Sequence, residues 1–442
     1  MSKAAEQDEL WGTETRKAVA NFPVSGEPIP VSVARWLGRI KAAAARVNAE
    51  LGLLDADIAE QIATAGDRVA AGELDDQFPI DVFQTGSGTS SNTNANEVIA
   101  SLAGDGVHPN DHVNMGQSSN DVFPSAVHLA ALDQLVNDLC PALALLAESL
   151  ERKAMEFDDI VKSGRTHMMD AVPVTLGQEF GGYAAQVRQG IARLEDAMPR
   201  LGQIPLGGTA TGTGLNTHPE FAERVRTLLT EQTGLTISAP VDPFEAQAAR
   251  DALVETSGAL KVVAVSLTKI AGDLRLMGSG PRAGLAEIRL PELQKGSSIM
   301  PGKVNPVIPE VVTQVAAQVI GNDTAITVGG MNGQFELNVY VPLIARNLLQ
   351  SIALLSSASR LLAEKCVDGI EANREQLERY AELTLSAATA LNPHIGYDKA
   401  TEIVQEAAAS GRSLREVARK SGVDESILDD ALDYRRMAKP DQ

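Results

Sequence analysis

Residues 243–278 have the sequence PFEAQAARDALVETSGALKVVAVSLTKIAGDLRLMG, and no proline follows Pro243 within this stretch. Leucine recurs at every seventh residue, and small side chains share the same stripe: Leu253, Ser257, Leu260, Ala264, Leu267, Ala271 and Leu274. Apolar residues at this spacing are typical of a helix that packs in a bundle. A helix over the whole stretch would extend for about 50 Å at roughly 1.5 Å per residue, so we expect neighbouring helices of similar length.

Other parts of the chain contain apolar stripes that predict such neighbours. Their members are Leu135, Leu139, Leu143, Leu146 and Leu150; Tyr183, Val187, Ile191, Leu194 and Met198; and Leu348, Leu355 and Leu362. The segment between Pro309 and Gly321, VVTQVAAQVI, predicts a fifth helix. Several seams of this kind favour a mainly α, elongated bundle that also associates between subunits. A monomeric bundle with all stripes internal is the alternative.

The composition excludes several classes of protein. The 442 residues include 38 basic and 58 acidic side chains, which give a formal net charge of −20. This balance argues against nucleic acid as a partner, because duplex-binding domains carry a basic surface. The two cysteines, Cys140 and Cys366, do not form a disulfide framework or a zinc motif. The polar N-terminus lacks the apolar core of a signal peptide, and no uninterrupted apolar stretch reaches the length of a membrane span. We therefore expect a cytoplasmic protein without a membrane partner.

The bundle pattern weakens towards both ends of the chain. The N-terminal part mixes helical stretches with turns rich in Gly and Pro, and the pattern breaks again near Asn392 and Pro393. We therefore divide the chain into residues 1–117, 118–368 and 369–442. The stretch SLREVARKSGVDESILDDAL near the C-terminus has helix–turn–helix spacing. It contains five acidic and three basic residues, which favours a packing role over DNA recognition.

Four polar loops interrupt the helices. They are dense in Gly, Ser, Thr and Asn: Thr85–Asn94 (TGSGTSSNTN), Gly116–Asp121 (GQSSND), Gly164–Asp170 (GRTHMMD) and Gly296–Pro306 (GSSIMPGKVNP). Backbone N–H groups and hydroxyls in such loops can bind oxyanions. The first loop lacks the lysine and the glycine spacing of nucleotide-binding loops. One loop of this kind could equally consist of helix caps and turns, whereas four favour a binding site.

The loop Gly296–Pro306 is the most informative of the four. Its polar side chains lie among glycines and prolines that keep the segment out of helix: Ser297, Ser298, Lys303 and Asn305. A lysine beside amide and hydroxyl donors can stabilise the charge that develops on a carboxylate when the adjacent carbon loses its proton. A serine hydroxyl could remove that proton only if its surroundings stabilised the alkoxide.

His167 follows Thr166 inside a polar loop, whereas a structural histidine would more often lie on an apolar stripe. A lone histidine is more often structural than catalytic, but the polar neighbours of His167 favour a functional role. The six histidines of the chain show no HExxH or comparable ligand spacing. The sequence therefore gives little support to a metal site.

These loops resemble those of the class II fumarases within the fumarase/aspartase superfamily. The similarity runs from LWGTETRKAVANFP near the N-terminus to LNPHIGYDKA near the C-terminus, and GSSIMPGKVNP matches the superfamily signature. The resemblance implies three domains, a central long-helix bundle at the core of a homotetramer, and active sites assembled from three subunits. It implies reversible hydration of fumarate to (S)-malate through an aci-carboxylate intermediate, as in the tricarboxylic acid cycle, without a metal or an organic cofactor.

The resemblance also assigns roles to individual residues. Ser297 matches the catalytic base that removes the C3 proton of malate, and Lys303 and Asn305 match groups that hold the aci-carboxylate intermediate. His167 matches the histidine associated with the active-site water, and Glu310 matches its carboxylate partner. The residues that match substrate ligands are Ser87, Thr89, Ser118, Ser119, Asn120, Thr166 and Ser298. The residues that match a second carboxylate site are His108, Asn110 and Asp111.

Two positions distinguish the branches of the superfamily. Histidine after Thr166 resembles fumarases, whereas aspartases typically carry glutamine there, and Gly302 also resembles fumarases. Two departures from the fumarase pattern are the pair Met168–Met169 and Met115, which stands where a lysine is frequent. Aspartate ammonia-lyase is the alternative enzyme, and a non-catalytic structural protein is the alternative from another class. Retention of the residues with assigned catalytic roles argues against a structural protein.

Overall fold

The computed structural model describes residues 9–439. The first eight residues, which begin the N-terminal segment used above, and the last three lie outside the described part. The helices are α1 (Thr13–Asn21), α2 (Val31–Glu50), α3 (Ala56–Ala70), α4 (Thr89–Ala103), α5 (Ser119–Gln134), α6 (Cys140–Glu156), α7 (Leu176–Leu201), α8 (Phe221–Thr233), α9 (Pro243–Ala248), α10 (Asp251–Met277), α11 (Val307–Gly330), α12 (Val341–Lys365), α13 (Arg374–Leu383), α14 (Asn392–Ile395), α15 (Tyr397–Ser410), α16 (Leu414–Lys420), α17 (Glu425–Ala431) and α18 (Tyr434–Ala438).

The strands are short and form antiparallel pairs, β1 with β2, β3 with β6 and β4 with β5. They are β1 (Val161–Thr166), β2 (Met169–Thr175), β3 (Ile288–Arg289), β4 (Gly333–Gln334), β5 (Leu337–Asn338) and β6 (Glu371–Ala372). The predicted mainly α class is therefore confirmed.

The chain divides into two compact units whose segments alternate along the sequence. Unit 1 consists of Met1–Pro141, Gly190–Ala264 and Val315–Ser356, and unit 2 consists of Ala142–Gln189, Val265–Gln314 and Ser357–Gln442. Each unit therefore combines segments that are distant in sequence. The division into residues 1–117, 118–368 and 369–442 stays a prediction.

The core of unit 1 contains the predicted stripes of several long helices. Fully buried leucines come from α10, α12 and the π-helical turn between α5 and α6: Leu253, Leu260, Leu348, Leu355, Leu135 and Leu139. Helix α2 packs against α3 and also contacts α4, α5 and α8. Because the apolar faces of these helices are buried in the core, the polar loops lie at the helix ends.

The helix predicted over residues 243–278 is interrupted near its start, so that part of the prediction is wrong. Ala249 is extended, with φ −90° and ψ 162°, and α10 begins only at Asp251. The buried guanidinium of Arg250 stabilises the interruption because it donates to three carbonyl oxygens at the end of α9, at 2.6–3.0 Å. Such carbonyls lack helical donors. The 27 residues of α10 extend for about 40 Å.

Unit 2 buries apolar side chains of long helices and of the short C-terminal helices. Leucines of the predicted stripes are buried on α6, α10 and α12, namely Leu143, Leu146, Leu150, Leu267, Leu274 and Leu362. The C-terminal helices form an apolar cluster that includes Leu414, Val417, Ala418, Val423 and Leu428. Arg419 and Glu425 form an ion pair of 2.7 Å between α16 and α17. The helix–turn–helix-like stretch therefore packs as predicted.

Two helical stretches are long and apolar enough to cross a membrane, judged by length and composition alone: Ser119–Glu156 and Val341–Gly369. Half of the most apolar window in the first, and 67% of that in the second, is buried inside the protein. Core helices of a folded domain show the same combination of length, apolar composition and burial. The two stretches are therefore weak evidence for a membrane span.

Candidate active site

The first polar loop lies in unit 1 and packs closely at two glycines. A Cβ on Gly86 would lie 1.9 Å from the carbonyl oxygen of Val339, and a Cβ on Gly88 would lie 2.2 Å from the ring of Phe123. Close packing therefore accounts for these glycines without a bound phosphate. The hydroxyls of Ser87 and Thr89 lie 2.9 Å apart at the start of α4, where Ser87 is buried and Thr89 is exposed.

The second polar loop also lies in unit 1 and forms the N-terminus of α5. Ser118 Oγ accepts the N–H of Asn120 at 3.3 Å, and the Asp121 carboxylate accepts the N–H of Ser118 at 2.8 Å. This reciprocal arrangement is a capping box, which fixes the start of a helix. The second oxygen of Asp121 accepts the N–H groups of Gly207 and Thr209, both at 2.9 Å.

Asp121 therefore connects the Gly116–Asp121 loop to residues 206–212 (LGGTATG) from inside the protein. Its side chain is fully buried. Burial raises the pKa of Asp121 to about 6, and hydrogen bonds from backbone N–H groups oppose that rise. An ionised carboxylate with several backbone donors can thus exist there near neutral pH.

The predicted ligands of the second loop are half-buried and held by neighbouring segments. Asn120 donates to the carbonyl oxygen of Ala210 at 2.9 Å, and Ser119 Oγ accepts a hydrogen bond from Asn92 at 2.9 Å. Asn92 belongs to α4, so the helix starts that carry Thr89 and Ser119 contact each other. Unit 1 therefore brings the first two predicted loops together.

The predicted second carboxylate site is an exposed turn of unit 1. His108 Nδ1 accepts the backbone N–H of Asp111 at 3.1 Å and lies 3.1 Å from the Asp111 carboxylate. The first contact requires an unprotonated Nδ1 and the second a protonated one, so the two are alternatives. The side chain of Asn110 is also exposed. A ligand-binding role for this turn stays a prediction.

In unit 2, His167 lies at the tip of the β1–β2 hairpin. Thr166 pairs with Met169, which leaves His167 and Met168 as a two-residue turn with φ values of 55° and 63°. Left-handed conformations suit Asn and Gly in such turns and are costly for other side chains. The strained turn presents both Thr166 and His167 to the surface. Backbone strain of this kind is common at functional sites.

A buried ion cluster anchors the hairpin within unit 2. Glu287 has no exposed surface, and its carboxylate oxygens lie 3.1 Å from Lys162 Nζ and 2.8 Å from Arg165 Nη1. Among the described residues, these oxygens have no partner with hydrogen-bond geometry, so the contacts are ion pairs. Lys162 also donates to Glu179 at 2.6 Å. The cluster joins β1, which carries Thr166, to the segment that leads into the Gly296–Pro306 loop.

The Gly296–Pro306 loop of unit 2 surrounds Ser297 with donors. The Oγ of Ser297 accepts the backbone N–H groups of Ile299 at 3.2 Å and Met300 at 3.0 Å. Asn305 closes the loop by donating to the carbonyl oxygen of Gly296 at 2.6 Å. Ser297 is half-buried, and the exposed side chains of the loop include Ser298 and Lys303. The role of Ser297 as a base stays a prediction.

Two cavities differ in their relation to the predicted residues. A cavity of about 410 Å³ in unit 2 is lined by Lys303, Asn305 and Asn373, among others. A cavity of about 480 Å³ in unit 1 is lined by His128 and Arg250 and by none of the predicted site residues. Burial lowers the pKa of His128 to about 4, which keeps its ring neutral. We therefore associate only the first cavity with the candidate site.

The predicted residues fall into two groups, one in each unit. Unit 1 contains Ser87, Thr89, His108, Asn110, Asp111, Ser118, Ser119 and Asn120, and unit 2 contains Thr166, His167, Ser297, Ser298, Lys303, Asn305 and Glu310. Glu310 lies in the first turn of α11 and is half-buried. Within residues 9–439 of one chain, no hydrogen bond or ion pair joins His167 to Glu310. Their predicted partnership stays a prediction.

Comparison with known proteins identifies the family to which these loops belong. A sequence profile described as "Lyase" matches residues 1–321, and one described as "Fumarase C C-terminus" matches residues 388–439. The class II fumarate hydratase of Corynebacterium efficiens is 55% identical to this chain, and the alignment covers 98% of the chain and 94% of that protein. The chain belongs to the class II fumarase family.

Other members of the family agree in sequence and fold. A class II fumarate hydratase of Mycobacterium tuberculosis is 55% identical, over 98% of this chain and 93% of its own length. The crystal structure of class II fumarase from Schistosoma mansoni has a TM-score of 0.96 at 37% identity, over 99% of this chain and 97% of that one. The resemblance and the fold class predicted from the sequence are therefore confirmed.

The buried charged side chains that bind these class II fumarase loops were not predicted from the sequence. Asp121 stands three residues after Ser118, which is the spacing of a capping box and could have indicated its role. Lys162 and Arg165 flank the glycine of GRTH, but nothing in the sequence indicates that Glu287 lies against them. That contact joins segments more than a hundred residues apart.

We expect the ion cluster around Glu287 to stabilise this class II fumarase fold. Glu287→Gln should lower the free energy of unfolding by about 3 kcal/mol, the low end for a broken buried ion pair, because Arg165 loses its carboxylate partner and Lys162 retains only Glu179. Denaturant unfolding followed by circular dichroism measures the change. Glu292→Gln, an exposed substitution in the same segment, is the matched control and should change the value by less than about 0.5 kcal/mol. Equal effects of the two substitutions would show that the cluster does not stabilise the fold.

Proposed function

We propose that this chain catalyses the reversible hydration of fumarate to (S)-malate. The observation that carries the proposal is the pair of backbone N–H groups that donate to Ser297 Oγ, in a loop that also contains Lys303. Hydrogen bonds to the charged form of a group favour that form. These two donors therefore lower the free energy of the Ser297 alkoxide.

In the malate-to-fumarate direction, the Ser297 alkoxide accepts the C3 proton of malate. The electron pair of the broken C–H bond moves into the adjacent carboxylate, which becomes a dianionic aci-carboxylate. Lys303 and Asn305 stabilise this intermediate, because a cation and an amide donor offset charge that develops only during the reaction. The intermediate then collapses to the C2–C3 double bond as the C2 hydroxyl leaves.

His167 supplies the second half of the reaction. It protonates the departing hydroxyl, and in the hydration direction it activates the attacking water as a general base. Glu310 partners His167 and raises its basicity. We propose that the two residues of each pair come from different subunits, as the family resemblance implies.

The unit 1 residues bind the substrate carboxylates. Their hydroxyl and amide groups suit oxyanions, and they are Ser87, Thr89, Ser118, Ser119 and Asn120; Thr166 and Ser298 add to them from unit 2. We propose a homotetramer in which the Ser118–Asn120, Thr166–His167 and Ser297–Asn305 segments of each site come from three chains. His108, Asn110 and Asp111 form a second carboxylate site. The enzyme acts in the cytoplasm, in the tricarboxylic acid cycle, without metal, nucleic acid or membrane.

Substrate identity is tested by offering the purified protein fumarate, L-malate and L-aspartate separately and following fumarate absorbance. We expect interconversion of fumarate and malate, unchanged by EDTA. Faster production of fumarate from aspartate would instead indicate an aspartase. Activity lost in EDTA and restored by iron or zinc would contradict the metal-free mechanism, and inactivity towards all three substrates would favour a structural protein.

The role of Ser297 is tested by Ser297→Ala. Loss of a positioned base should lower kcat by at least about 10²-fold, while substrate binding largely survives. Lys303→Met should reduce kcat comparably, because the intermediate loses its cation. Steady-state kinetics and equilibrium binding of fumarate separate the two effects. A near-wild-type kcat for Ser297→Ala would assign the base to another residue, of which His167 is the first to test.

A further inference from the structure

Lys41 is a lysine with no exposed surface in the middle of α2. Its Nζ donates to Asn114 Oδ1 at 3.3 Å and to Gln117 Oε1 at 3.1 Å. Burial of an ammonium group is costly unless its hydrogen bonds and charge are compensated. Amide oxygens supply the hydrogen bonds here, because no carboxylate lies within ion-pair distance of Lys41 among the described residues.

The two acceptors of Lys41 belong to the turn that immediately precedes Ser118. Asn114 Nδ2 donates to the carbonyl oxygen of Gln117 at 3.2 Å, and Gln117 Nε2 donates to the carbonyl oxygens of Val113 and Met115 at 3.1 and 3.3 Å. Each amide side chain therefore orders the backbone of this turn. The ammonium group fixes both amides through their oxygens.

The same network reaches a predicted substrate ligand. Asn114 Oδ1 accepts hydrogen bonds from Asn92 at 3.1 Å and Asn96 at 3.3 Å, and Asn92 Nδ2 also lies 2.9 Å from Ser119 Oγ. The Oδ1 atoms of Asn92 and Asn96 are buried and lack partners among the described residues. Buried polar groups without partners are unfavourable for stability. Stability alone therefore does not account for this cluster of polar side chains.

The electrostatic surroundings of Lys41 are dominated by one charge. Burial lowers the pKa of the Lys41 ammonium to about 7, and the negative charge of Asp121 on α5 offsets part of that shift. Five charged groups of other elements packed against α2 have partners other than Lys41: Asp67 of α3 with Arg46, Asp75 with Arg35, Glu97 of α4 with the amides of Gly12 and Thr15, Arg224 of α8 with Glu50, and Asp111 with His108.

We propose that Lys41 is a positioning residue whose protonated ammonium holds the Asn114–Gln117 turn, and thereby the Ser118–Asn120 segment, in the geometry that binds the substrate carboxylate. The inference rests on the proposed function, because that function assigns the Ser118–Asn120 segment to the substrate. Charge-assisted hydrogen bonds are stronger than neutral ones. Deprotonation of Lys41 therefore loosens the turn and weakens substrate binding as pH rises through about 7.

The effect of pH on stability has the opposite sign. The pKa of Lys41 is lower in the folded protein than in the unfolded chain, so the unfolded chain binds more protons between pH 7 and pH 10.5. The contribution of Lys41 to the free energy of unfolding consequently rises with pH across this window. Asp121, whose pKa is raised to about 6, acts in a separate window below pH 6. A purely structural Lys41 would not weaken substrate binding in the window where it increases stability.

The test is Lys41→Met, which keeps the length of the side chain and removes its charge and donors. At pH 6 the KM for fumarate should rise about tenfold, the effect of losing a hydrogen bond to a charged group, while kcat changes less than about twofold. The ratio of the KM values of variant and wild type should fall towards one by about pH 9, because wild-type Lys41 is then neutral. Titrating groups that do not interact with Lys41 act equally on both proteins and cancel in the ratio. Asp121 interacts with Lys41 and has a pKa of about 6, so the fall of the ratio is measured between pH 7 and pH 9.

Ile40→Val is the matched control because Ile40 is the buried neighbour of Lys41 on α2. It should lower the unfolding midpoint slightly and leave KM unchanged at every pH. Lys41→Gln also has a neutral side chain, and its KM should likewise approach the wild-type value by about pH 9. This variant replaces Lys41→Met in the test if Lys41→Met does not fold. A KM ratio that is independent of pH, or a loss confined to kcat, would overturn the proposal. If wild-type protein does not hydrate fumarate, the proposed function fails; if it does and the Lys41 variants bind normally, only this inference fails.

Discussion

Burial of apolar stripes along long helices is the constraint on which the rest of the structure depends. Leu253 and Leu260 are buried in unit 1, and Leu267 and Leu274 of the same helix are buried in unit 2. A helix whose stripe is buried over so many turns has little room for functional polar groups on that face. The residues proposed for the chemistry consequently lie in loops and at helix ends.

In each unit, buried charged side chains form hydrogen bonds or ion pairs with the segments that carry candidate functional residues. In unit 1, Asp121 accepts backbone N–H groups from two loops, and Lys41 orders the turn before Ser118. In unit 2, Glu287 pairs with cations of the strand that leads to Thr166. Buried charges contribute little net stability compared with apolar side chains of similar volume. Here they fix the loops that carry the proposed substrate ligands.

The sequence predicted those features that depend on local pattern. Heptad leucines predicted the buried stripes, and the Gly296–Pro306 motif predicted the family. The interruption at Ala249 was missed because no proline or glycine marks it, and it depends on the buried guanidinium of Arg250. The strained turn at His167 was also missed, since His-Met is an unusual pair for left-handed backbone. Contacts such as that of Glu287 with Lys162 join distant segments, and a single sequence carries no local signal for them.

The central claim is that a complete site combines segments of different subunits, and mixed tetramers test it most directly. Ser297→Ala and His167→Asn proteins, each inactive, are unfolded together in equal amounts and reassembled, with light scattering to verify tetramers of the 46.7 kDa chain. If Ser297 and His167 of one site come from different chains, each is intact in half of the sites after random mixing. Both residues are then intact in about one quarter of the sites. Activity should therefore recover to about a quarter of the wild-type value. Verified mixed tetramers without activity, or a fully active wild-type monomer, would contradict the shared site.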